Sequence, residues 1–69
     1  MIRFNERLKE LRIEKQLSQK ELAEMIVTGQ SSISAWESGV REPLAHQLIE
    51  LAKVFDCSVD YLLGRSDIK

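Results

Sequence analysis

No stretch of this chain approaches the ~18 consecutive apolar residues of a membrane-crossing helix. The opening "MIRFNERLKE" is too charged for a signal peptide. One cysteine, Cys57, excludes an internal disulfide, and neither it nor the lone His46 has Cys or His partners at metal-ligand spacing. No metal and no cofactor are therefore expected, and a reducing, intracellular setting is the simplest reading. The three glycines form no phosphate-cradling loop, and no nucleophile–base set or paired carboxylates stand at catalytic spacing. An enzyme acting on a small-molecule substrate is not expected. His46 reads as a solvated residue and Cys57 as a small buried filler.

A basic surplus is missing too. The formal net charge is −1, which argues mildly against nucleic acid as a partner. The distribution says more. Residues 1–20 carry six Lys or Arg against three Glu, residues 21–40 three Glu and no base, and residues 41–69 four bases against five acids. The segments are thus +3, −3 and −1, with positive charge concentrated at the N-terminal end. With 69 residues the chain is one domain. A domain this small buries only about 60% of its unfolded surface, so dimerisation would help its stability.

What is present is helical periodicity. In "FNERLKELRIEK" the residues Phe4, Leu8 and Leu11 make an apolar stripe, with the Arg and Glu residues between them as a charged outer face. Ser18 can cap a second helix, and Glu21 occupies the capping-box position. Leu22, Ala23 and Ile26 give that helix its apolar face, and Ala23 is small enough for a close helix crossing. "VTGQ" breaks it. Thr28 or Gly29 can then cap a third helix, with Ile33 and Trp36 three apart on its inner side. Gly39 and Pro43 end that helix. Leu44, Leu48, Leu51, Ala52 and Phe55 share one side of a fourth helix. Ser58 caps a last short helix holding Val59, Tyr61, Leu62 and Leu63, closed by Gly64. Tyr61 and Leu62 read either as core closure or as a dimer surface. Residues 1–65 form the domain, and residues 66–69 are expected to fray.

A helix, a tight turn and a second helix describe a helix-turn-helix. "LSQKELAE", "ISAWESG" and "LIELAKVFDCSVDYLLG", with Gln19, Ala23, Ile33, Trp36, Glu37 and Gly39 in register, resemble the phage repressor and Cro-type family, also called the xenobiotic-response-element family. The resemblance covers residues 4 to 65. It implies an all-α, five-helix, lambda-repressor-like domain, bacterial or phage-encoded and cytoplasmic. Its partner would be double-stranded DNA, bound by a homodimer on a palindromic operator, with a recognition helix over about residues 30–37 in the major groove. With Ile33 and Trp36 inward, Gln30, Ser31, Ser34 and Ala35 face outward. Gln30 can pair with adenine, Ser31 and Ser34 can donate or accept, and Ala35 can touch only a thymine methyl. Ser18, Gln19, Lys20, Ser38 and Arg41 are candidate phosphate contacts, Gln19 through its place at a helix N-terminus. The family also implies an Arg12–Glu37 ion pair, which either turns Arg12 toward a phosphate or staples the first helix to the third.

The chain departs from the family pattern at the turn, where a glycine is usual and Val27-Thr28-Gly29 stand instead. Either Val27 takes the left-handed conformation or Gly29 does, and the second choice would shift the start of the recognition helix. Gln16 likewise replaces a common glycine, and Leu44 a common capping serine. The function expected from all this is that of a transcriptional regulator, most simply a repressor. The alternative is a protein-interaction module of the same fold, an antitoxin or anti-repressor partner with weak or no DNA binding.

Overall fold

The computed structural model describes residues 3–69; residues 1 and 2 of the expected domain lie outside them. Among the described residues there are five helices and no strand: α1 (Phe4–Glu14), α2 (Gln19–Met25), α3 (Gln30–Ser38), α4 (Ala45–Phe55) and α5 (Val59–Leu62). The apolar stripe of α1 becomes the floor of the core, with Phe4, Leu8 and Leu11 all buried. On it sit Leu22, Ala23 and Ile26 from the second helix, and Ile33 and Trp36 from α3. Leu51, Ala52 and Phe55 from α4 and Leu62 from α5 complete the same cluster. Helix α3 packs on α1 and α2, while α5 bridges α4 to α1. Leu8, Leu22, Ile33, Leu51 and Leu62 are fully enclosed, each contributing about 1.5–3 kcal/mol by leaving water. Core closure is therefore the role of Leu62; it has no surface left for a second copy.

The helix starts follow the expected chemistry. The Glu21 N–H donates to Ser18 Oγ at 3.0 Å, and the Ser18 N–H donates to Glu21 Oε1 at 2.8 Å, a complete capping box. The Tyr61 N–H donates to Ser58 Oγ at 2.9 Å at the start of α5. Helix α3 begins after Gly29, which is extended at φ −84° and offers no side-chain cap. Leu44 precedes α4 in the extended conformation and is 63% exposed. The expectation that it joins the inner face of that helix fails, because the helical period begins only at Ala45. Pro43 is buried instead, and Gln47 Oε1 accepts the Leu44 N–H at 2.8 Å.

The helix ends share one device. In each, an amide bonds back five residues: Leu17 to Arg12, Thr28 to Ala23, Val40 to Ala35, Cys57 to Ala52 and Arg65 to Asp60. This Schellman closure requires a left-handed residue just before the donor. Those residues are Gln16, Val27, Gly39, Asp56 and Gly64. Val27, at φ 56°, is thus the left-handed residue of the turn, and Gly29 is not. For a side chain branched at Cβ this conformation costs about 1–2 kcal/mol.

One further expectation is corrected. Arg7 does not lie on the charged outer face of α1; it is 6% exposed. Its Nη1 donates to the Tyr61 carbonyl at 2.8 Å, and its guanidinium carbon lies 3.9 Å from the centre of the Tyr61 ring. The buried charge is stabilised by that ring stack and by Glu10 and Asp67, each at 3.9 Å. The tail 66–69 has contacts of its own. The Ser58 N–H donates to the Lys69 carbonyl at 2.8 Å, Lys69 Nζ meets Glu14 at 3.1 Å, and Ser66 closes a local turn with Ile68. Glu14 raises the Lys69 pKa through that hydrogen bond. Cys57 is half-buried, and desolvation pushes its thiol pKa up, away from the reactive thiolate.

Candidate nucleic-acid interface

Helix α3 is divided by its own period. Ile33 is 0% and Trp36 3% exposed, three residues apart and so nearly in line along one face. The opposite side carries Gln30, Ser31 and Ser34, all exposed, and Ala35, half-buried. The four candidate base contacts therefore form one polar strip, with its bulkiest hydrogen-bonding side chain at the N-terminal tip. The tip is held up by the turn. With Val27 left-handed in the turn between α2 and α3, Gln30 and Ser31 are left exposed while Ile33 of the same first turn is buried.

The other end of α3 is anchored by ionic hydrogen bonds. Arg12 Nε donates to Glu37 Oε2 at 2.6 Å, and Nη2 donates to Oε1 at 3.1 Å. Arg12 Nη1 donates to the Leu17 carbonyl at 2.8 Å. The two charged side chains are 13% and 6% exposed. The hydrogen bond from Arg12 to Glu37, with their Coulomb attraction, raises the Arg12 pKa, against the lowering effect of burial. Of the two expected uses of Arg12, the staple is the one these bonds display. Glu37 Oε1 also accepts from Gln19 Nε2 at 3.2 Å. Sequence reasoning missed this third member, because residues 19 and 37 share no local spacing. One carboxylate thus ties the end of α1, the start of α2 and the end of α3 together. It also means that one of the three acidic charges of residues 21–40 is neutralised in place.

The candidate phosphate contacts fall into two groups. Ser18, Gln19 and Lys20 lie together at the start of α2, with Ser18 and Lys20 exposed and Gln19 half-buried. Helix α2 has seven residues and its third amide is already taken by Ser18. A phosphate contact there would rest on side chains rather than on the helix dipole. Glu21 belongs to this corner; its pKa is lowered by the Ser18 backbone N–H and then by the hydroxyl. Ser38, the last residue of α3, and Arg41, three residues beyond it, form the second group, and both are exposed. The Ser38 hydroxyl donates to the Ala35 carbonyl at 3.1 Å. Arg7 was missed as an inward residue, although a signal existed: it stands three residues after Phe4 and four before Leu11, which is the inner face of α1.

Among the described residues no group of three or more His, Cys, Asp or Glu could hold a metal ion. No helix among them is long and apolar enough to cross a membrane.

Two short helices joined by a tight turn, the second presenting a polar strip above a buried Ile and Trp, define the class as a helix-turn-helix domain. Residues 8–62 match the Helix-turn-helix family model, and the chain belongs to that family. It is 38% identical over 65 residues, or 94% of its length, to the HTH-type transcriptional activator BcrR of Enterococcus faecalis, of which it covers 32%. Its fold is similar to that of the P22 c2 repressor in a complex with a synthetic operator. There the TM-score is 0.86 and the identity 33%, over 91% of this chain and 96% of that one. It is also similar to SinR of Bacillus subtilis in complex with DNA, with a TM-score of 0.80 and 34% identity over 87% of this chain and 97% of that one. Across the curated relatives it matches, the chain spans 28% to 58% of their length.

Proposed function

We propose that this protein is a non-enzymatic, cytoplasmic transcriptional regulator that binds duplex DNA sequence-specifically as a homodimer on a palindromic operator. One observation carries the reading: the exposed strip of Gln30, Ser31, Ser34 and Ala35 stands on a helix locked from behind by Ile33, Trp36 and the Arg12–Glu37–Gln19 bonds. It is supported by the relatives, which include a repressor bound to its operator and a regulator bound to DNA.

In the complex, α3 lies in the major groove. Gln30 reads adenine N6 and N7 in a bidentate pair worth roughly 1–3 kcal/mol of discrimination. Ser31 and Ser34 hydrogen-bond neighbouring base edges, and the Ala35 methyl meets a thymine methyl. Ser18, Gln19 and Lys20 hold one backbone strand, Ser38 and Arg41 the other side of the groove. Arg12 acts through Glu37, whose carboxylate fixes the Gln19 amide before DNA arrives. Because that ordering is made in advance, less entropy is lost on binding. Two copies place their recognition helices about 34–36 Å apart, one turn of DNA. A single domain measures 27 × 22 × 20 Å, so two can sit side by side at that spacing. Repression follows when the operator overlaps a promoter.

The test is selection of binding sites from random duplex DNA, repeated with Gln30→Ala. The parent should enrich a palindrome, and the variant should lose its preference at one symmetric base-pair position. Binding should also weaken steeply between ~50 and ~200 mM salt. An absence of any enriched site at low salt would end this reading in favour of a protein-interaction module.

A further inference from the structure

We propose that Val27 is itself a DNA contact, its isopropyl group meeting the apolar C–H surface of a nucleotide (a thymine 5-methyl or a deoxyribose) beside the bases read by Gln30. The inference rests on the DNA-binding reading above and adds a residue to it. Val27 sits at φ 56°, a conformation in which a branched side chain is strained. It is also 91% exposed, the highest value among the exposed large hydrophobics of the described residues. The closure of α2, from the Thr28 amide to the Ala23 carbonyl, uses the left-handed backbone but not the valine side chain. The side chain joins no core cluster, and the backbone would adopt this turn more readily with glycine or asparagine.

The other four helix ends make the contrast. Where the left-handed residue is not glycine, it is polar: Gln16 or Asp56. Among these five left-handed residues only Val27 holds an apolar side chain out in water. A branched apolar side chain on such a backbone, where the closure itself would accept glycine or asparagine, points to use of that side chain by a ligand.

The position says which ligand. Val27 is three residues before Gln30, so their Cα atoms are at most about 11 Å apart. That is about three base-pair steps at 3.4 Å. Between them Thr28 is half-buried and Gly29 has no side chain. No bulky exposed side chain stands between the valine and Gln30 in the chain. The strained backbone and stiff χ1 of a β-branched residue hold the two methyl groups in place before binding, which suits a contact of fixed geometry at the groove's edge.

The experiment uses the full 69-residue chain and the operator selected by the parent. Val27→Gly and Val27→Asn are compared with it by fluorescence anisotropy at fixed salt. Both variants should retain the helical circular dichroism of the parent and melt no lower. Both should bind about tenfold more weakly, a loss of about 1.4 kcal/mol. The slope of log K against log salt should not change, since no phosphate contact is removed. A second operator carries uracil for thymine. If it weakens the parent more than the variants, the contact is a thymine methyl; if it weakens all three equally, by the loss of the Ala35 contact alone, the contact is the sugar. Variant affinities within about twofold of the parent overturn the proposal while leaving the function intact. So does a weakened DNA-free dimer, measured by sedimentation, that alone accounts for the lost affinity, because Val27 would then face a second copy. A parent that binds no duplex overturns the function and this contact together.

Discussion

Replacing Glu37 by Gln keeps the shape of the side chain and removes its charge. In the parent, that carboxylate takes two hydrogen bonds from Arg12 and one from Gln19, with the Arg12 side chain 13% exposed and that of Glu37 6% exposed. In the variant Arg12 keeps its charge and its bond to the Leu17 carbonyl but loses its counter-ion. Breaking one side of a buried pair costs about 3–5 kcal/mol. Because Arg12 reaches solvent slightly, the expected loss is near the lower end, about 3 kcal/mol. A chain of 69 residues has a total stability of about 3.5–10 kcal/mol, at about 0.05–0.15 per residue. The variant is therefore brought close to unfolding. With a urea slope of roughly 1 kcal/mol per molar, the midpoint should fall by about 3 M. Circular dichroism in urea reads this directly. The companion variant Arg12→Met with Glu37→Leu removes both charges and should recover most of the loss, leaving about 1 kcal/mol for the orphaned Leu17 carbonyl. A Glu37→Gln midpoint within about 0.5 M of the parent's, or a double variant no more stable than the single, would refute the claim that this pair clamps α1 to α3.

Three other outcomes follow from the capped ends. Gly39→Ala should lose about 1 kcal/mol in chemical denaturation, because Gly39 is left-handed at φ 81°. The new Cβ would lie 3.6 Å from Asn5 Nδ2, an ordinary contact, so no steric cost is added. Ser18→Ala should lose about 1 kcal/mol, as the Glu21 amide loses its acceptor. The Glu21 carboxyl has a folded pKa below its ordinary 4.5, so its contribution is complete above that value and fades as pH falls through the folded one. Thermal melts of the parent should show this acid-side decline, and Glu21→Gln should flatten part of it.

The helices were legible from residue spacing because their signals are local. Phe4, Leu8 and Leu11 mark a stripe, Ser18 and Glu21 a capping box, and Ile33 with Trp36 the inner face of α3. Burying those two residues left Gln30, Ser31 and Ser34 outside, which 3.6 residues per turn already required. The turn was only half legible: either Val27 or Gly29 could have been left-handed. The Schellman closure decides for Val27, since the Thr28 amide must reach the Ala23 carbonyl. Arg7 was misjudged because a charged residue is normally placed in water, whereas the Tyr61 ring and carbonyl that receive it lie on a helix 54 residues away.

The sequence by itself determined which segments are helical and which side of each is apolar, since those depend on neighbours within one or two turns. The tertiary structure alone decided what crosses between helices: Gln19 on Glu37, Arg7 under Tyr61, the tail against Ser58 and Glu14. Such contacts depend on distances through space between residues far apart in the chain, and no local period encodes them.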